Sequence, residues 1–181
     1  VTRRYDPERR QRIIDAAIRV VGRGGIAGLS HRTVAAEADV PLGSTTYHFG
    51  SLDELLIATL RQANEGFAAV FLERGSFDGP ECDIAGELAR VTGEWLARDR
   101  TGVELEFELY LAALRRPALR PVAAEWSAAL SALLAPYTDP VTARALVAMV
   151  DGICLQVLLT DMEYDAGYAR EMFARLLPAV R

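Results

Sequence analysis

Residues 42 to 49, Leu-Gly-Ser-Thr-Thr-Tyr-His-Phe, put four hydroxyls and an imidazole into one unbroken run. Only Leu42 and Phe49 are strongly apolar, so a helix over this stretch presents a face able to touch something polar. Gly43 and the small Ser44, Thr45 and Thr46 let a backbone approach a groove, and the hydroxyls, Tyr47 and His48 can hydrogen-bond to phosphate oxygens or base edges. Little else in the chain competes chemically. There is no Ser-His-Asp or Cys-His set and no phosphate loop. With only His31 and His48, and no close Cys beside either, a zinc site has nothing to be built from. No catalytic residue, metal or cofactor is expected. Cys82 and Cys154 read as free thiols.

The elements that must position the run can be read around it. Ser30 is a good N-cap for a helix carrying Val34, Ala35 and Ala38 on its apolar side. Asp39-Val40-Pro41 breaks that helix, and Pro41 fits at the start of the next, over residues 42–49. The result reads as helix-turn-helix. Ser51-Leu52-Asp53-Glu54 then forms a capping box, with Ser51 reaching the Glu54 amide and Glu54 reaching back. Upstream, Asp6 as N-cap and Pro7 at the first helical position open a helix whose apolar face is Ile13, Ile14, Ala17, Val20 and Val21, and Gly22, Gly24 and Gly25 stop it.

From about Pro7 to Leu56 the sequence resembles the DNA-binding domain of the TetR (tetracycline-repressor-like) family of bacterial transcription regulators. Ile14, Ala17, Gly25, Leu29, Ser30, Val34, Ala35, Ala38, Val40, Gly43, His48, Phe49 and Leu55 carry the likeness, in order and at the family's spacing. Two positions depart from it. Thr46 stands where the family most often has Tyr, and Leu52 where it most often has Lys, both typical phosphate-gripping residues. The phosphate contacts are accordingly reassigned to Thr46, Tyr47 and His48. With the resemblance, the expected DNA-binding set is Arg3, Arg4, Ser30, Arg32, Thr33, Leu42, Gly43, Ser44, Thr45, Thr46, Tyr47 and His48.

The charge distribution agrees with a nucleic-acid partner only after it is divided by region. The 181 residues carry a net charge of −5, but residues 1–50 hold 8 Arg against 5 acidic residues while the remainder holds 12 Arg against 20. The basic end is the helix-turn-helix end. The opening residues, with Arg3 and Arg4, read either as a solvated tail or as an arm reaching phosphate or the minor groove. At 51% hydrophobic and 25% charged the chain is of the globular class. No apolar run is read as a membrane span and none as a signal peptide, so the expectation is a cytoplasmic protein with no membrane partner.

Beyond Ser51 every segment reads helical. The apolar positions from Leu52 to about Glu73 keep a helical spacing that predicts one long fourth helix, followed by a loop at residues 75–80. The stripes Ile84-Leu88-Val91-Trp95, Val103-Phe107-Tyr110-Leu114 and Leu119-Val122-Trp126-Leu130-Leu133 predict three more helices. Glu104, Glu106 and Glu108 read as a solvated strip, with Glu106 turned away from the other two and open to a buried, functional role. Asp139-Pro140 starts a helix to about Asp161 that is apolar nearly all round, and a last helix covers about Tyr168 to Leu177. The sequence therefore predicts an all-α fold of about nine helices. Residues 1–51 form a three-helix helix-turn-helix domain, and residues 52–181 a ligand-binding and dimerisation bundle.

Two over-apolar terminal helices are most simply covered by a second copy, in a four-helix interface using Leu146, Val150, Ile153, Val157, Tyr168, Met172, Phe173 and Leu176. A dimer also suits DNA, since two recognition helices read half-sites about 34 Å, or a multiple of it, apart. Phe67, Phe71, Trp95, Glu106, Phe107, Tyr110, Trp126 and Met149 read either as ordinary core or as the lining of a site for an apolar or aromatic effector. The resemblance implies the second. The function expected is a repressor that binds double-stranded operator DNA as a homodimer and is released by an unidentified small molecule, the ligand acting through the fourth helix. A DNA-binding dimer without an inducer, and a helical carrier or enzyme, are the alternatives.

Overall fold

The computed structural model of the chain describes residues 7–74, 82–98, 100–160 and 162–177, without the side chains of residues 66, 67 and 74. Among the described residues the regular elements are ten α-helices and two 3-10 turns, so the fold is all-α. In chain order the helices are α1 (Arg9–Gly24), α2 (His31–Glu37), α3 (Leu42–His48), α4 (Leu52–Ala63) and α5 (Glu65–Arg74), then α6 (Ile84–Arg98), α7 (Arg100–Ala112), α8 (Arg120–Leu134), α9 (Pro140–Leu159) and α10 (Ala166–Ala174). The tenth comes from a break the spacing did not show. A turn at Asn64 separates α4 from α5, where one continuous helix was expected.

By compactness the chain divides into two units: Val1–Ala63 with Leu105–Ala123, and Asn64–Glu104 with Ala124–Arg181. The first is larger than the 51-residue segment expected to bind DNA. Leu55, Leu56 and Leu60 of α4, together with Leu105, Leu109, Leu119 and Val122, complete one apolar core with Ile13, Ile14, Val21, Leu29, Val34 and Phe49. The physical reason is size. Three short helices enclose too little apolar surface to offset the entropy of ordering them, and the added helices enlarge the shared interior.

Within this unit α1 presents its expected apolar face, with Ile13, Ile14, Ala17, Val20 and Val21 all buried. Its start differs: the helix opens at Arg9 with Glu8 as N-cap and no side-chain cap, while Asp6 lies outside the described residues. Gly25 alone ends it, at φ 66° and ψ 177°, a conformation that an L side chain strains to adopt. The Ser30 cap is as expected and forms a full box with Thr33. The cap before α4 is displaced by one residue: Ser51 accepts the Glu54 amide, but Glu54 reaches back to the amide of Gly50 at 2.8 Å.

In the second unit α10 packs chiefly on α6. Two polar contacts fasten the pair. Arg170 Nε donates to Asp83 at 2.6 Å, and the Tyr164 hydroxyl donates to the Ala89 carbonyl at 2.6 Å. The Tyr164 ring lies so close to Gly93 that a Cβ there would stand 2.7 Å from Cε1. The Gly86 amide, then Arg170, hold the Asp83 carboxyl below its usual range. Asp139 caps α9 by accepting from the amides of Val141 and Thr142, with Pro140 at the first helical position as expected. Contrary to expectation, α9 does have the length and composition of a membrane span, with an 18-residue window of mean hydropathy 1.7. Its buried flank, Leu146, Val150, Ile153, Cys154 and Val157, is that of a core helix.

Candidate nucleic-acid interface

The turn that sets α2 against α3 is made by Asp39, at φ 51°, and closed by the Val40 amide donating to the Ala35 carbonyl at 3.0 Å. Pro41 stands before the first turn of α3, where its missing amide leaves no helical bond unmade. On the outer side of α3, Leu42, Gly43, Thr46 and Tyr47 are exposed and Ser44 and His48 half-buried. Tyr47 stands 76% exposed, and its ring meets that of His48 edge-on with centroids 5.2 Å apart.

Thr45 corrects the sequence reading. Its side chain is fully buried, and its hydroxyl donates to the Leu42 carbonyl at 2.8 Å and toward that of His31 at 3.4 Å. On a helix, consecutive side chains point about 100° apart, so a run of hydroxyls cannot all face out, and here Thr45, the second of them, turns toward the core. Thr45 therefore fixes α3 against α2 and offers nothing to a groove. Ser30 and Thr33 are likewise committed to each other: Thr33 N donates to Ser30 Oγ at 3.1 Å, Ser30 N donates to Thr33 Oγ1 at 2.9 Å, and the Thr33 hydroxyl also donates to the Gly28 carbonyl at 3.0 Å. Arg32 is exposed beside them. Arg3 and Arg4 lie outside the described residues.

The helices that carry this face are tied by charge as well as by core. Arg19 Nε donates to Glu37 at 2.7 Å and Arg23 makes a second, short contact with the same carboxylate, joining α1 to α2. These hydrogen bonds, from Arg19 first and Arg23 next, hold the Glu37 carboxyl below its ordinary value. The Arg10 guanidinium lies 5.1 Å from the centre of the Phe49 ring, at the end of α3. At the start of α4, Asp53 accepts from Arg116 at 2.9 Å.

Of the expected effector residues, Phe71, Trp95 and Trp126 are buried and Met149 half-buried in the second unit. Phe107 is buried in the first unit, with Glu106 and Tyr110 half-buried there. The Phe67 side chain lies outside the described ones. The sequence reading missed Asp151, the single acidic residue of α9, where burial pushes the carboxyl up to about 6. A lone carboxylate in the middle of an apolar helix was the available signal.

The expected dimer residues need the larger correction. Leu146, Val150, Ile153, Val157 and Phe173 are buried by their own chain, and of the set only Tyr168 is exposed, with Met172 and Leu176 half-buried. Large side chains marked the stripe that packs within the unit. The less buried stripe, Val141, Ala145, Ala148, Gly152, Leu155 and Leu159, alternates steps of four and three, and its middle three residues are small ones that a hydrophobicity count passes over.

With this geometry in hand, comparison with known proteins is specific. Residues 13–59 match the family described as "Bacterial regulatory proteins, tetR family", and residues 79–179 match "Tetracyclin repressor-like, C-terminal domain". The chain is 32% identical over 168 residues to the nicotine-responsive transcriptional repressor HdnoR of Paenarthrobacter nicotinovorans, covering 82% of this chain and 83% of that protein. It is 29% identical to the transcriptional regulator BetI 2 of Chromohalobacter salexigens, covering 91% and 84%. Among solved structures, the multidrug binding protein EbrR in complex with imidazole is 75% identical, with a TM-score of 0.92 over 96% of this chain and 97% of that one. EbrR has also been solved with ethidium, proflavin and malachite green. The curated relatives are transcription regulators rather than enzymes, and the chain belongs to the TetR family of bacterial transcription regulators.

Proposed function

We propose that this regulator is a repressor that binds operator DNA in the cytoplasm as a homodimer and leaves it when a small aromatic cation binds in the C-terminal part of the chain. The observation that carries the DNA half is the outer side of α3, where Tyr47 stands clear of the core beside His48, Thr46, Gly43 and Leu42. These residues, with Arg32 and half-buried Ser44, are the proposed contacts. Thr45 is excluded by its burial.

The effector half rests on EbrR. Ethidium, proflavin and malachite green share flat aromatic surface and positive charge, which calls for aromatic side chains and a carboxylate. Phe71, Trp95, Trp126 and Met149 offer the first in the second unit, and Asp151 the second. For the dimer, the stripe Val141-Ala145-Ala148-Gly152-Leu155-Leu159 is the proposed seam, with Tyr168 beside it. Its small residues let two helices approach closely. Ligand coupling of about 1–3 kcal/mol would change operator affinity roughly 5–150-fold.

The test is binding to a duplex from the promoter of the protein's own gene, followed by fluorescence anisotropy at several salt concentrations. Affinity should fall steeply with salt and be lost when Tyr47 and His48 are both changed to Ala. Malachite green, which lacks the fused planar rings of an intercalator, should release the duplex. A DNA-binding dimer without an inducer is the second reading, favoured by the near-complete burial of Phe71, Trp95 and Trp126. Release by malachite green separates the two.

A further inference from the structure

We propose, resting on the repressor reading above, that Glu108 is a positioning residue for DNA binding: its carboxylate holds the elbow between α1 and α2, so that the placement of α7 sets that of the helix-turn-helix. Glu108 belongs to a strip that the sequence marks as solvated, and its side chain is exposed. In the structure its Oε1 accepts the backbone amide of Ile26 at 2.8 Å. The same oxygen lies 3.0 Å from where a Cβ on Gly25 would stand, so a side chain at residue 25 would press on the carboxylate and push it aside by a few tenths of an ångström. Gly25 already needs glycine for its backbone angles, and the two demands coincide at one residue.

The grip is not isolated. On the same helix Leu105 and Leu109 enter the core that contains Ile13, Ile14, Val21 and Leu29, and just past its end Arg116 holds Asp53 at the first turn of α4. α7 and the turn after it therefore touch the helix-turn-helix at both of its borders, the α1–α2 elbow and the start of α4. Three residues separate Ile26 from Ser30, the N-cap of α2, and Ile26–Gly28 is a tight 3-10 turn. A shift of the elbow is passed to α2, and by the direct packing of α2 on α3 to the latter, with little slack.

Chain continuity singles out the same helix. The chain passes from one compact unit to the other at residues 63/64, 104/105 and 123/124. The first passage is interrupted by the turn at Asn64, whereas α7 runs unbroken through the second and α8 through the third. At its other end α7 is anchored in the second unit: Arg100 donates to the carbonyls of Val157 and Leu158, at the C-terminus of α9, at 3.5 and 3.3 Å, and pairs with Glu104 at 2.9 Å. The fourth helix, expected to transmit the ligand's effect, has a joint where a rod is needed. α7 has none, and of the two unbroken helices it is the one whose carboxylate seizes the elbow.

The experiment compares the full-length protein with Glu108→Ala and Glu108→Gln, using malachite green as the probe. Three quantities are read: dye affinity, operator affinity with and without dye, and amide hydrogen exchange over residues 25–37. Glu108→Ala is expected to bind dye within about twofold of the parent and operator roughly tenfold more weakly, the scale of one lost charge-assisted hydrogen bond. The dye should release it by a smaller factor, and exchange over 25–37 should accelerate while that of Ile13 to Val20 does not. Glu108→Gln, which keeps a carbonyl acceptor, should restore most of each. Parent-like operator affinity and dye release in Glu108→Ala, or unchanged exchange over 25–37, overturn the proposal. A parent that binds no operator refutes the repressor reading instead, and the exchange pattern then still decides whether Glu108 holds the elbow.

Discussion

Replacing Asp151 by Asn is expected to stabilise the protein at neutral pH and to leave it nearly unchanged in mild acid. The carboxyl is half-buried on α9, and burial alone raises it from an ordinary value of 3.8 to about 6. The sign follows from proton binding. Between these two values the folded protein holds a proton that the unfolded chain has released, so stability falls as pH rises from about 4 to about 6 and stays lowered above that. The interval corresponds to about 3 kcal/mol at most, and an Asn amide that must itself be desolvated reduces the gain to roughly 1–2 kcal/mol. About half of it should be in place by pH 5. Urea unfolding of parent and variant at pH 4.5, 5.5 and 7.5, at one protein concentration because a dimer's stability depends on it, measures the difference directly. A variant less stable than the parent at pH 7.5, or a difference that does not grow with pH, would refute the reasoning. The carboxylate would then have a cationic partner, and removing it would leave that partner uncompensated.

Other outcomes are expected from single positions. Thr45→Val, which keeps the shape and removes the buried hydroxyl, should cost about 1 kcal/mol in thermal or urea unfolding and leave operator affinity within about twofold. A large loss of affinity at unchanged stability would return Thr45 to the DNA contacts. Gly25→Ala should destabilise by about 1–3 kcal/mol, since the backbone there is nearly glycine-only, and calorimetry reads it as a lowered Tm. A Cβ at residue 152 meets nothing within 4 Å of its own chain, so Gly152→Leu should press chiefly on the proposed seam, and light scattering should show monomer mass with the circular dichroism of the parent. A variant that still assembles would move the seam away from α9.

Much of this fold is legible in the sequence because helices leave strong local marks. The Ser30 and Asp139 caps, the Pro41 corner and the apolar face of α1 all stand where pattern and capping chemistry put them. What was not legible depends on tertiary neighbours. The break at Asn64 interrupts a spacing that is compatible with an unbroken helix, and the apolar periodicity outweighed the local signals of Asn64 and Gly66. The burial of Thr45 follows from where α2 lies, which a run of hydroxyls does not encode. The expected dimer residues illustrate a related limit of pattern: periodicity identifies a buried stripe but not what buries it, and Leu146 and Phe173 are covered by their own chain. Glu108 is exposed, as the sequence reading had it, but its hydrogen bond to a backbone amide 82 residues earlier has no sequence signature.

The contact of Tyr164 with α6 bears on how copies of this chain can associate. A phenol seated against Gly93 and bonded to the Ala89 carbonyl fastens the link before α10 to the chain's own α6. Exchanging the terminal helix between two copies would first require that ring to leave its notch and then to find an identical one on the other molecule. Such a trade gains no contact and opens a strained, partly unfolded intermediate, so the clasp steers association toward the docking of finished chains and away from interlocked ones.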